Sequence, residues 1–234
     1  MNHRNLPGTG DKRSRGFSTL EVLLVMVVSL IIAAFAIPGF NQVQRTLRIS
    51  GDARNLNGAI NQAKMEAAAD FTETRVYIDL GANRINTFHV DVWNKAGNGG
   101  LGCWQVVGEL VRGGVLNPCF LAGASPVQSL SPGVAFGFNG VGAPPPNTQA
   151  NGIGQGQLRC TPVNGKRVGQ VATTACIQFN SRGIPVDLAT GAPTGNDAVY
   201  ITDNTQVYGV TVSATGLSQV WANNVKGNAN WYHK

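Results

Sequence analysis

Arg15-Gly16-Phe17-Ser18-Thr19-Leu20-Glu21 runs directly into the apolar block Val22 to Ile37, which Pro38-Gly39-Phe40 closes. From Leu20 to Ile37 only Glu21 and Ser29 interrupt the apolar residues. At about 1.5 Å per helical residue the run reaches roughly 27 Å, nearly the hydrocarbon thickness of a bilayer. The block therefore predicts a membrane-spanning helix. A carboxylate just inside such a helix is expensive in hydrocarbon, so Glu21 points to a function or a partner.

On the N-terminal side, residues 1–15 are polar and basic, and Pro7, Gly8 and Gly10 oppose helix formation. Lys12, Arg13 and Arg15 sit immediately before the block. Such positive flanks stay on the cytoplasmic side, which places the leader inside and the body outside. An ordinary secretory signal is the competing reading, with Ala34-Phe35-Ala36 as its cleavage site. Glu21 tells against it, and so does the amphipathic pattern beyond Pro38. Val43, Leu47, Leu56, Ile60, Ala63 and Ala67 recur near helical spacing, with Arg48, Arg54, Lys64, Glu66 and Asp70 between them. Pro38 removes one backbone hydrogen bond and predicts a kink without ending the helix. One helix from Phe17 to about Asp70 is expected, membrane-bound in its first half and packed on the body in its second.

Past Asp70 the period becomes two. Thr74 to Leu80 places Val76, Ile78 and Leu80 on one face and Arg75, Tyr77 and Asp79 on the other, the pattern of a half-buried strand. Further strands are expected at Arg84–Trp93, Trp104–Val111, Val134–Phe138, Val171–Phe179, Ala198–Thr202, Val207–Ser213 and Leu217–Ala222. The last two form a hairpin across Ala214-Thr215-Gly216. The fold class is α+β, a long helix followed by an antiparallel sheet.

The formal charge of +6 misleads, because four of the 18 basic residues and one of the 12 acidic ones lie in the first sixteen positions. The remaining body is only mildly positive, which argues against nucleic-acid binding by bulk charge. With 13% charged residues and 30 glycines, the composition suits an extracytoplasmic β-rich domain with long loops. Cys103, Cys119, Cys160 and Cys176 allow three disulfide connectivities. Local pairing, Cys103 with Cys119 and Cys160 with Cys176, is the simplest. No C-x₂-C or His-rich spacing suggests a metal site.

Gly16-Phe17-Ser18-Thr19-Leu20-Glu21 followed by an apolar helix resembles the prepilin motif of type IV pilins and type II secretion pseudopilins. The resemblance implies leader cleavage between Gly16 and Phe17 and N-methylation of Phe17. It makes Glu21 the residue that sets assembly register by pairing with the Phe17 amine of a neighbouring subunit, and it matches Pro38 to the family's helix-loosening proline. The order of four weaker stretches resembles the minor pseudopilin family that includes GspH and FimT. They are Ala53 to Ala67, the strand at Val76, Ile177-Gln178-Phe179-Asn180-Ser181-Arg182-Gly183-Ile184-Pro185, and Val212 to Gly216. The division implied is residues 1–16 as a cleaved cytoplasmic leader, 17–38 as transmembrane and filament-core helix, 39–70 as its amphipathic half, and 71–234 as a periplasmic globular domain of pilin-like fold.

Other motifs carry less. Gly97-Asn98-Gly99-Gly100-Leu101-Gly102 satisfies G-x-G-x-x-G, but strand-like Cys103-Trp104-Gln105-Val106-Val107 follows where a dinucleotide site needs a helix. His89 is the body's one internal histidine, beside Asp91 on the same strand face, and a strand histidine is the expected reading. No G-x-S-x-G or H-E-x-x-H is present. The expectation is a non-enzymatic structural subunit of a type II secretion pseudopilus or type IV pilus, without catalytic residues, metal or cofactor, that initiates or caps the filament. Its partners by resemblance are major and minor pilins, the prepilin peptidase and methyltransferase, the inner-membrane assembly platform and the membrane itself. The alternative is a pilus-tip DNA-uptake subunit. Lys166, Arg167 and Arg182 are its candidate contacts, yet Gly216-Leu217-Ser218-Gln219-Val220-Trp221 lacks the Gly-Arg-x-Arg pattern of such proteins.

Overall fold

The computed structural model describes residues 18–80, 86–107, 127–146, 159–162, 169–195, 197–224 and 228–234. Helix α1, Thr19–Ala69, is 51 residues long. Ser18 starts it. Its hydroxyl accepts from the Leu20 N–H at 3.3 Å and its carbonyl from the Val22 N–H at 3.2 Å, satisfying donors that a bare helix end leaves open. Glu21 lies in the first turn, where a negative charge complements the helix dipole. Ser29 donates its hydroxyl to the Val25 carbonyl at 2.8 Å, so that polar group is satisfied within the helix. The helix continues through Pro38.

The chain divides into two compact units, Met1–Gln44 and Arg45–Lys234. In the first, the side chains from Leu20 to Ile37 are exposed, and an 18-residue window there has a mean hydropathy of 2.8. That stretch is long and apolar enough to cross a membrane. In the second, α1 buries Ile49, Ala53, Leu56, Ile60, Ala63 and Ala67. The steps of four and three keep these residues on one face. Val43 and Leu47, expected in that stripe, are exposed. The stripe begins at Ile49 because only from there does the helix have sheet residues to pack against.

The strands are β1 (Thr74–Asp79), β2 (Thr87–Asn94), β3 (Cys103–Val106), β4 (Gln128–Ser129), β5 (Ala135–Phe136), β6 (Thr174–Phe179), β7 (Pro185–Val186), β8 (Asp197–Thr202), β9 (Val207–Val212), β10 (Ser218–Asn223) and β11 (Tyr232–His233). They form two antiparallel sheets, one ordered β3-β2-β1-β6-β7 with β4 on β2, the other β11-β10-β9-β8-β5. The helix stripe, Val76, Ile78, Phe88, Val90, Ile177 and Phe179 of the first sheet, and Val199, Ile201, Tyr208, Val210 and Val212 of the second share one core. The architecture is α+β, with a long helix packed on antiparallel sheets.

Thr74 donates its hydroxyl to the Ala63 carbonyl at 2.6 Å and Thr72 to the Trp93 carbonyl at 2.8 Å, fixing where β1 leaves the helix. The turn between them holds Phe71 at φ 49°, while the Thr72 N–H reaches back to the Ala67 carbonyl at 3.2 Å. That is a helix C-terminal cap whose left-handed position usually carries glycine.

The expected half-buried alternation fails on both sheets. Arg75, on the face of β1 opposite the helix, is buried, because the segment around Cys160 and Thr161 covers that face. On the second sheet Val141 and the partly buried Phe138 and Trp231 cover Ala198, Tyr200 and Val207. Single-strand periodicity reports one packed face and is blind to a loop laid over the other. Three two-residue strands, β4, β7 and β11, also escaped expectation. Trp231-Tyr232-His233, weighed as a tail for partners, is instead folded back, with Tyr232 and His233 paired to β10 and the Trp231 indole donating to the Ala143 carbonyl at 2.9 Å.

Candidate functional site

Glu21 is exposed in the first turn of α1, at the head of the apolar surface. It is the one ionisable residue between Arg15 and Arg45. Gly16 and Phe17, its expected cleavage and methylation partners, lie outside the described residues. So do Cys119, Lys166 and Arg167. Cys103 is buried at the start of β3. Cys160 and Cys176 are disulfide-bonded with Cα atoms 5.0 Å apart, so the second local pairing is present. Arg182 is exposed on the turn between β6 and β7.

The stretches that carried the family resemblance meet in space. Lys64 of α1 donates to the Gly216 carbonyl at 3.1 Å, across 152 residues of sequence. Gly216, at φ 75°, lies in the β9–β10 turn, where the Gly216 N–H donates to the Ser213 carbonyl at 2.8 Å. A Cβ there would stand 2.5 Å from the Gly183 carbonyl oxygen. Gly183, at φ 70°, closes the β6–β7 turn with its N–H on the Asn180 carbonyl at 2.8 Å, and its own Cβ would stand 2.9 Å from Lys64 Cγ. Both glycines are required twice over, by backbone conformation and by close approach. Asn180 organises the β6–β7 turn further, its side-chain oxygen accepting from the N–H groups of Arg182 and Ile184 at 2.9 and 3.1 Å.

On the covered face of the first sheet a buried polar cluster forms. Arg75 Nε donates to Asp91 Oδ2 at 2.7 Å, and the same guanidinium donates to the Thr161 carbonyl at 2.7 Å. Its carbon lies 4.3 Å from the Trp104 ring centroid and 5.0 Å from that of Tyr77, a cation–π sandwich. His89 stacks on Tyr77 at 4.9 Å and puts Nε2 3.2 Å from Asp91 Oδ1. Burial alone would raise the Asp91 carboxyl, but Arg75 and His89 outweigh it and hold the group below its ordinary value. The disulfide and Arg75 thus both hold the Cys160–Thr161 segment onto the sheet. The sequence expectation had Arg75 on a solvent face. The signal for burial was the pairing of Arg75 and Tyr77 with Asp91 and His89 at facing positions of adjacent strands, beneath a disulfide.

Asp197, at the start of β8, is the contrary case. It is 2% exposed, and its Oδ2 has no hydrogen-bond partner among the described residues. Burial, with a smaller contribution from Asp187, pushes its carboxyl up to about 7. Among the described residues no three His, Cys, Asp or Glu side chains group as a metal site. The arrangement as a whole is that of a scaffold, with rigid turns and a clamped loop around an apolar core. No family model, curated protein or solved structure matches the chain.

Proposed function

We propose that the chain is a minor pilin-like subunit, of the GspH/FimT kind, of a type II secretion pseudopilus or a type IV pilus. The observation that carries this reading is the first half of α1. It exposes a continuous apolar surface from Leu20 to Ile37 and carries one carboxylate, Glu21, at its head. Such a helix is soluble in lipid or in a bundle of its own kind, and its carboxylate needs a cation in either dry setting. The amine freed by cutting between Gly16 and Phe17 supplies that cation on a neighbouring subunit. A subunit sliding along the bundle would leave the charge unpaired, so the pair sets axial register. The convergence of Lys64, Gly183 and Gly216 supports the GspH/FimT reading, since it gives the weaker motifs a joint structural role.

Mass analysis of the processed protein tests the proposal first. The expected mature chain begins at Phe17 and carries one N-methyl group, whereas a chain beginning at Ile37 would return the segment to an ordinary signal peptide. Glu21→Ala is expected to leave cleavage and membrane insertion intact and to remove the protein from sheared filaments. Wild-type amounts of the variant in those filaments would overturn the register mechanism.

A further inference from the structure

A cleft of about 330 Å³ opens between α1 and two loops of the Arg45–Lys234 unit, lined by Arg45, Arg48, Pro132, Gly133, Asp203 and Asn204. Its walls are held in place. On one side Asp52 accepts from the Ser131 N–H at 2.9 Å and the Ser131 hydroxyl at 3.0 Å, pinning the loop before β5 to the helix. On the other side Gln206 donates to the Thr46 hydroxyl at 3.0 Å, and Asn139 donates to the Asn204 carbonyl at 2.9 Å, pinning the β8–β9 turn.

The polar lining is asymmetric. Arg45 and Arg48 are three residues apart on α1, hence on one face, and both are exposed. Asp203 spends one oxygen on its own turn, with Oδ1 accepting from the Thr205 N–H at 2.9 Å, the Thr205 hydroxyl at 2.7 Å and the Gln206 N–H at 2.8 Å. Its other oxygen, Oδ2, is buried with no hydrogen-bond partner among the described residues. A buried acceptor left open is destabilising unless something donates to it. Guanidinium forks match the oxygens of a phosphate, and a lone carboxylate oxygen matches an ammonium.

We infer that this cleft binds a phosphate ester that also carries a primary amine, the phosphate held by Arg45 and Arg48 and the amine donating to Asp203 Oδ2. A phosphoethanolamine group has this chemistry, whether as a soluble ester or as a phospholipid headgroup. Arg45 follows Ile37, the end of the apolar run, by eight positions, so the lipid source is tested beside the soluble one. The site does not depend on the filament reading.

The test uses the full chain in a phosphate-free maltoside micelle. Calorimetric titration with O-phosphoethanolamine is expected to give saturable binding that exceeds that of inorganic phosphate. Neutralising either arginine, Arg45→Gln or Arg48→Gln, is expected to weaken it about tenfold or more, the scale of one charge-assisted hydrogen bond. Asp203→Asn keeps an oxygen acceptor for the Thr205–Gln206 turn but presents an amide where the amine would donate. It is expected to abolish the preference for phosphoethanolamine while retaining phosphate binding. In parallel, native mass spectrometry of micelles doped with phosphatidylethanolamine reads the lipid source. A retained lipid lost in the Arg45→Gln/Arg48→Gln double variant assigns the headgroup, and binding of the soluble ester alone assigns a free ligand. Failure of both arms, or equal binding by the double variant, would overturn the inference. Neither result bears on cleavage at Gly16 or on Glu21, so the two proposals fail separately.

Discussion

The two halves of α1 are one element with opposite surroundings. Before Arg45 the helix is the more apolar and buries almost nothing; after it, the helix is studded with charge and buries a complete stripe from Ile49 to Ala67. Hydrophobicity alone therefore does not decide burial within this chain. Supply of a partner surface does, and the partner of the second half is encoded in the strands. The first half has none in the chain itself, and its polar groups are treated accordingly. Ser29 satisfies its hydroxyl on its own helix, while Glu21 sits exposed at the helix head.

The contrast breaks most completely at Glu21. Glu21→Ala, read by immunoblot of sheared filaments beside the membrane fraction, is expected to abolish incorporation while body unfolding stays unchanged. The next largest effect comes from exchanging equivalent truncations between the halves. Leu56→Ala is expected to lower body stability by about 3 kcal/mol, the cost of a buried leucine plus its cavity, whereas Leu24→Ala should change it by less than about 0.5 kcal/mol. Trp93, Trp104 and Trp221, all buried in the body, provide the fluorescence signal for denaturant unfolding in micelles.

A smaller effect separates paired from unpaired carboxylates inside the body. Because the Asp197 carboxyl is raised to about 7, the folded state holds its proton longer than the unfolded chain. Its contribution to stability therefore falls as pH rises from about 4 to about 7 and is level above that window. Asp197→Asn should be more stable than the wild type at pH 8 by about 2 kcal/mol, and the two should converge near pH 4. Asp91 has the opposite sign, since its depressed value makes its stabilisation vanish only as pH falls below the ordinary carboxylate range. The smallest effect lies at the end of α1. Phe71→Gly removes a left-handed strain from a side chain that is 77% exposed and should add about 1 kcal/mol, visible as a rise in the denaturant midpoint.

Helix α1, most strands and the Cys160–Cys176 bridge were legible in the sequence because each rests on a local signal: an apolar run, a period, a spacing. The start of the buried stripe was not, since Val43 and Leu47 fit helical spacing as well as Ile49 and Ala53 do, and which pair is covered depends on where the sheets lie. Arg75 was misplaced for a related reason. Its burial is decided by Thr161, 86 residues away, and by the face that the disulfide segment covers. In the cleft, Arg45 and Arg48 are visible as helix neighbours, but the orphaned Asp203 oxygen emerges only once its turn is built. The short strands β4, β7 and β11 have no periodicity to detect, being two residues each.

The bond from Lys64 to Gly216 also fixes an order in time. The stripe of α1 leaves the ribosome early, but its sheet partners Val199, Val210 and Val212 and the turn that seats Lys64 come near the end of the chain. At about 5–20 residues per second, 152 intervening residues take roughly 8–30 s to make. Through that interval the second half of the helix is as unpartnered as the first. The growing chain thus carries an apolar face that its own last hairpin must arrive to cover, which makes late truncations far more damaging than their distance from α1 in the sequence suggests.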